Sequence, residues 1–321
     1  MSDASKFTNH EWHLFKSVNE RRAEDARRAF GAIDAEPVFC IAPGRSGTRY
    51  ISEIIAEASD IVAFHEPLPR FLVLKDRSSR EAVIGLDFLI EQKAPQIAIL
   101  AAGKRLYVET SHVFGKGAAE LMFQTGISFV PMFVLRDLNA VAQSFLQIGS
   151  VPARTAQGRA FLLDPWAPHN MLWLGEDPPD APRLCAWYAA ETFLRQLYFF
   201  ELHAARAGKA SLILYADHLT PKMICREFAR CSLIPEGVPR LRVKEVFSPR
   251  DFRNDKPLEK CTSFTSAEAP FDWDAFTLRL EVRPPVALHP DDTRALIARA
   301  SEDIAGTWAD VIAGINASEA P

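Results

Sequence analysis

Val38-Phe39-Cys40-Ile41-Ala42-Pro43-Gly44-Arg45-Ser46-Gly47-Thr48-Arg49-Tyr50 reads as a buried strand, a glycine-containing turn and the opening of a helix that continues through Ile55. A strand that feeds such a turn into a helix N-terminus makes an anion site. The turn's N–H groups point inward, and the helix dipole places partial positive charge where a phosphate would sit. The stretch therefore predicts an α/β fold whose chemistry begins with a phosphorylated ligand.

The residues of the turn narrow that ligand. A nucleoside-triphosphate loop runs G-x-x-x-x-G-K-[ST], with its Lys on the outer phosphates and its hydroxyl on Mg²⁺. Here Thr48 follows Gly47 directly and the loop has no Lys; its cations are Arg45 and Arg49. The hydrolase elbow G-x-S-x-G fails as well, because Gly47 follows Ser46 without a spacer.

Two later stretches belong with the first. From Ser128 an apolar run of strand length ends at Arg136-Asp137, and a helical pattern follows with Leu138, Val141 and Phe145 on one face. Ser144 lies eight residues after Arg136. Residues 210–216 read as another strand ending at Tyr215, with Thr220-Pro221 at a helix start beyond it.

In this order the stretches resemble the nucleotide-binding motifs of sulfotransferases that use 3′-phosphoadenosine-5′-phosphosulfate (PAPS). Pro43-Gly44-Arg45-Ser46-Gly47-Thr48 is similar to that family's 5′-phosphosulfate loop, commonly Pro-Lys/Arg-Ser-Gly-Thr-Thr. Arg136 and Ser144 resemble the pair that grips the nucleotide's 3′-phosphate, and Tyr215 resembles a tyrosine that lies against the adenine. The resemblance covers residues 36–233, about two-thirds of the chain. It implies a P-loop-like, three-layer αβα fold with a central, mostly parallel sheet, with PAPS as co-substrate and 3′,5′-ADP (PAP) as product. Arg45 would stabilise charge on the leaving phosphate, while Ser46, Gly47 and Thr48 hold it. A guanidinium fork plus a hydroxyl suits the dianionic 3′-phosphate. Arg49 stands where the family has a second Thr, and Tyr50 would lie beside the adenine. No metal is expected, since a sulfuryl group carries less charge than a terminal phosphoryl group.

The acceptor hydroxyl needs a base. Ile61-Val62-Ala63-Phe64-His65-Glu66-Pro67 is a short strand ending in two candidates, of which Glu66 is preferred and His65 is orienter or alternate. Glu109 and His112 end another strand, and a structural role is favoured for them. Trp166, Trp173, Trp187 and Tyr188 are candidate acceptor contacts, the last two reading better as helix core. Nothing in the chain names the acceptor, a hydroxyl or amine of a small molecule or glycan.

The composition bounds these readings. The 321 residues are 48% apolar, enough for a large core, and the net charge of −4 argues against nucleic acid as the main partner. No run approaches membrane-span length. The five cysteines, Cys40, Cys185, Cys225, Cys231 and Cys261, show neither a disulfide framework nor zinc spacing. A cytoplasmic enzyme without membrane or nucleic-acid partners is expected, and a homo-oligomer is compatible with the chain. The expected layout is one sulfotransferase domain over 1–321, with an N-terminal helical extension at 1–35. Strands are expected at 37–42, 61–65, 105–111, 129–136 and 210–216. Helices are expected at 9–30, 48–58, 80–102, 114–125, 138–148, 183–207, 220–231 and 291–316. The proline-broken segment 149–182 and the basic segment 247–272, with Arg250, Arg253 and Lys256, are expected lid or acceptor loops. Two other readings stay open: a small-molecule kinase using ATP-Mg, and a catalytically silent PAP-binding protein in which Arg49 blocks the sulfonate position.

Overall fold

Side chains alternate across the first strand. Phe39 and Ile41 enter one buried cluster, while Val38, Cys40 and Ala42 enter another on the opposite side. An apolar run with no polar face is what a central parallel strand needs, because helices cover both faces of its sheet. The computed structural model describes residues 20–56, 58–75, 82–167, 170–174, 179–207, 211–234 and 279–280. The expected helix at 291–316 and the basic segment 247–272 lie outside these residues.

Five parallel strands form the sheet: β1 (Glu36–Ile41), β2 (Ile61–Phe64), β3 (Leu106–Glu109), β4 (Val130–Leu135) and β6 (Leu212–Tyr215), in the order β2-β3-β1-β4-β6. A separate short antiparallel pair joins β5 (Leu172–Trp173) to β7 (Arg279–Leu280). On one face lie α2 (Thr48–Ile55) and α9 (Pro221–Arg230), which bury Ile51, Ile54, Ile224 and Phe228 against the sheet. The other face carries α1 (20–31), α3 (Ala82–Phe88), α4 (Ala94–Leu100), α5 (Ala118–Thr125), α6 (Leu138–Gln147) and the long α8 (Ala181–Ala207). The result is a three-layer αβα arrangement with an all-parallel sheet.

Phe39 anchors the larger core. Its ring stacks on Phe114 at 4.8 Å and meets Phe71 edge-on at 5.4 Å, geometries that aromatic quadrupoles favour. The described part of the N-terminal helix packs on the body. Ala26 and Phe30 are buried, Arg22 pairs with Asp87 at 2.8 Å, and Arg27 donates to the Thr125 carbonyl at 2.7 Å.

The expected helix at 80–102 is a helical run over 82–100, interrupted by a π turn at Leu89–Lys93. That at 114–125 splits at Gly117, and Glu120 reaches back to the Gly117 N–H at 2.7 Å as the first-turn acceptor of α5. Inside 149–182 a short helix, α7 (Ala156–Phe161), was not anticipated; Thr155 caps it by accepting from the Gly158 N–H at 3.0 Å.

The strand order positions the site. The chain leaves β1 toward β2 on one side and leaves β4 toward β6 on the other. The carboxyl ends of β1 and β4 therefore flank the crevice where open α/β sheets bind ligands.

Candidate functional site at the β1–β4 crevice

The loop after β1 turns by left-handed backbone. Gly44, Arg45 and Gly47 have φ of 90°, 57° and 75°. At Gly44 a Cβ would also sit 3.1 Å from the His112 ring and 3.2 Å from Phe145, so both conformation and space demand glycine. Arg45 accepts the same region as a non-glycine, a strain that functional loops retain. Gly47 caps α2 without any side-chain hydrogen bond to its first turn. Ser46 is 1% exposed, and its hydroxyl has no partner among the described residues. A buried hydroxyl without a partner is uncommon and marks Ser46 as a candidate site group.

Arg45 and Arg136 converge on this loop. Arg45 Nε donates to Ser144 Oγ at 3.1 Å, and the Arg136 guanidinium donates to the Arg45 carbonyl. Burial, and then the neighbouring Arg136 charge, hold the Arg45 guanidinium below its usual range. Asp217 approaches Arg136 at 3.8 Å. Asp137 is spent elsewhere: its carboxylate caps α6 by accepting from the Ala140 N–H at 2.8 Å. Tyr215 is half-buried at the end of β6, in register with Leu135 and so one residue from Arg136. Burial pushes its phenol up.

The base candidates stand across the loop. Glu66 has φ of 49°, and its carboxylate accepts from His112 Nδ1 at 2.5 Å. Burial raises the Glu66 carboxyl, but the contact with His112 and the nearby His65 and Arg70 outweigh it and leave it below the ordinary range. His112, the ring that touches Gly44, is lowered to about 4 by burial and by Lys116, so it is neutral near pH 7. His65 Nδ1 lies 2.7 Å from the Thr110 carbonyl, which can only accept. That contact fixes the proton on Nδ1 and leaves Nε2 with the lone pair.

The structure gathers Arg45, Ser46, Gly47, Thr48, Arg136 and Ser144 at one crevice, with Glu66 connected to it through His112. Arg49 and Tyr50 do not join them. Arg49 is 63% exposed and pairs with Glu53 at 2.9 Å, one helical turn along α2. Tyr50 is 4% exposed in the core beneath that helix. The helical period explains both, since successive residues lie about 100° apart around α2 and place Arg49 toward solvent and Tyr50 toward the sheet. Glu109 is buried between Lys93 at 2.7 Å and the Tyr107 hydroxyl at 2.7 Å, a structural pairing. Trp187 and Tyr188 are core residues of α8. Segment 149–182 is anchored where it is described. Glu191 accepts from the Met171 and Leu172 N–H groups at 3.0 Å and 2.8 Å, and Trp187 Nε1 donates to the Leu172 carbonyl at 3.0 Å.

His112 meets Glu66 between the segments that follow β3 and β2, a contact that no local sequence pattern marks. Among the described residues no helix is long and apolar enough to cross a membrane. The chain matches no family model, and searches of curated proteins and of solved structures also find no match.

Proposed function

We propose that this chain is a PAPS-dependent sulfotransferase acting on a hydroxyl or amine of a small-molecule or glycan acceptor. One observation carries the reading. Arg136 and Ser144 lie 91 and 99 residues beyond Arg45, yet the three form one hydrogen-bonded cationic group at the loop. Two cationic side chains on one loop favour a multiply charged anion beside them. A nucleotide with separate 5′- and 3′-phosphates meets that need: loop and Arg45 at one end, Arg136 and Ser144 at the other.

In the reaction the acceptor oxygen or nitrogen attacks sulfur in line, and the bond from sulfur to the 5′-phosphate oxygen breaks. Its electron pair passes to that oxygen, whose growing charge faces Arg45 and the N–H groups of the loop. The acceptor's proton goes to Glu66, held in place by His112, with His65 Nε2 as the alternate base. Arg49 pairs with Glu53 along α2, an orientation that favours turnover over a catalytically silent PAP-binding protein. A test is turnover of radiolabelled PAPS against a panel of phenols, alcohols, amines and sugars. Arg45→Ala should abolish transfer while keeping most PAP affinity; undiminished transfer would reject the assignment. A kinase using ATP-Mg is the alternative that the same panel, run with ATP, would reveal.

A further inference from the structure

Helix α8 presents Tyr188, Thr192 and Gln196 at intervals of four, and so along one face. All three are buried. The Tyr188 hydroxyl donates to the Pro43 carbonyl. Gln196 Nε2 donates to the Ile41 carbonyl at 2.8 Å and to the Val134 carbonyl at 2.9 Å. Thr192 turns back on its own helix, to the Tyr188 carbonyl at 2.8 Å, and takes no part.

The three carbonyls held by Tyr188 and Gln196 share a location. Ile41 ends β1, Pro43 opens the anion loop, and Val134 lies two residues before Arg136. The register between the two strands stops at Ile41 and Phe133. Beyond it the chains diverge around the crevice, and their carbonyls need donors from outside the ladder. One primary amide bridges both strand ends, and one phenol fixes the loop stem. Core filling does not require either group, since Phe and Leu would occupy similar volumes. The Tyr188 ring also meets Phe145 edge-on at 5.1 Å, next to Ser144 in α6, so the same side chain touches both halves of the site.

We propose that Tyr188 and Gln196 are positioning residues that set the separation between the anion loop and Arg136. The inference rests on the nucleotide reading only for the ligand; the spacing device stands on the backbone contacts. A ligand that spans both ends feels the spacing, and one that occupies a single end does not.

Tyr188→Phe and Gln196→Leu test this on the full chain. Each variant is titrated with PAP and with adenosine 5′-monophosphate, which lacks the 3′-phosphate. Loss of one such hydrogen bond predicts PAP binding weaker by about tenfold, with the monophosphate changed by less than about threefold. In parallel, hydrogen exchange without ligand is followed over 36–43, over 130–136 and in α5 as reference. Exchange should quicken about tenfold in the two strand ends and stay unchanged in α5. Equal losses for both nucleotides, or exchange that rises uniformly or not at all, would overturn the inference. Failure of the wild-type chain to bind PAP would overturn the proposed function instead, and the exchange comparison would still decide this one.

Discussion

Arg136→Ala probes the link between the two motifs. The side chain is 24% exposed, donates to the Arg45 carbonyl and, among the described residues, has Asp217 at 3.8 Å as its carboxylate neighbour. A charge-assisted hydrogen bond to phosphate contributes about 1.5–3 kcal/mol, and two unit charges at 4 Å interact by about 4 kcal/mol at an effective dielectric of 20. Partial exposure and the half-spent pairing with Asp217 place the net loss toward the hydrogen-bond figure, about 2–3 kcal/mol. At 1.4 kcal/mol per decade, PAP should bind about 30-fold to 150-fold more weakly. Calorimetric titration of wild type and variant with PAP measures this directly. Repeating it with adenosine 5′-phosphosulfate, which lacks the 3′-phosphate, isolates the site: the variant should lose most of its preference for PAP. Arg136→Lys should recover only part of the affinity, because an ammonium cannot fork. PAP affinity within threefold of wild type in Arg136→Ala would refute the assignment of the 3′-phosphate.

Further predictions follow from single groups. Ser46→Ala removes a buried hydroxyl that has no partner among the described residues, so the melting temperature should hold or rise while PAP affinity falls about tenfold; a stability loss above about 1 kcal/mol would point to a structural bond instead. His112 titrates near its ordinary value when unfolded but at about 4 when folded, so the unfolded chain binds the extra proton. Stability should therefore fall as pH drops from about 6.5 toward 4, and the melting curve of His112→Asn should lack about one proton's worth of that slope. Glu191→Ala leaves the Met171 and Leu172 N–H groups and one side of Arg195 without their buried carboxylate, and should cost about 3–5 kcal/mol in chemical denaturation.

Much of the fold was legible because its signal is local. Each of the five sheet strands is a short apolar run beside a helical pattern, and a parallel sheet imposes that pattern directly. Thr220-Pro221 marked the start of α9, where Thr220 accepts from the Met223 N–H at 3.2 Å. The loop and Arg136 were visible for the same reason, since glycines and strand ends are local marks. What escaped depends on contacts between distant residues. His112 gains its meaning from Glu66, 46 positions away, and Gln196 from Ile41, 155 positions away. No period in α8 separates a core glutamine from one that bridges two strand ends. For Arg49 the sequence leaves open a phosphate contact or a solvent-facing helix position, and its place on α2 pairs it with Glu53. Segment 149–182 reads as a lid or acceptor loop from its prolines; the groups that hold its described part, Glu191 and Trp187, lie in the following helix.

The central claim is that the crevice between β1 and β4 holds a nucleotide carrying phosphates at both 5′ and 3′ positions. Isothermal titration of the purified chain with PAP, and separately with ATP plus Mg²⁺, tests it most directly. The account predicts tight PAP binding that is indifferent to metal, with negligible ATP binding. Magnesium-dependent ATP binding without PAP binding would contradict it, and would mean that Arg136 and Ser144 serve another anion.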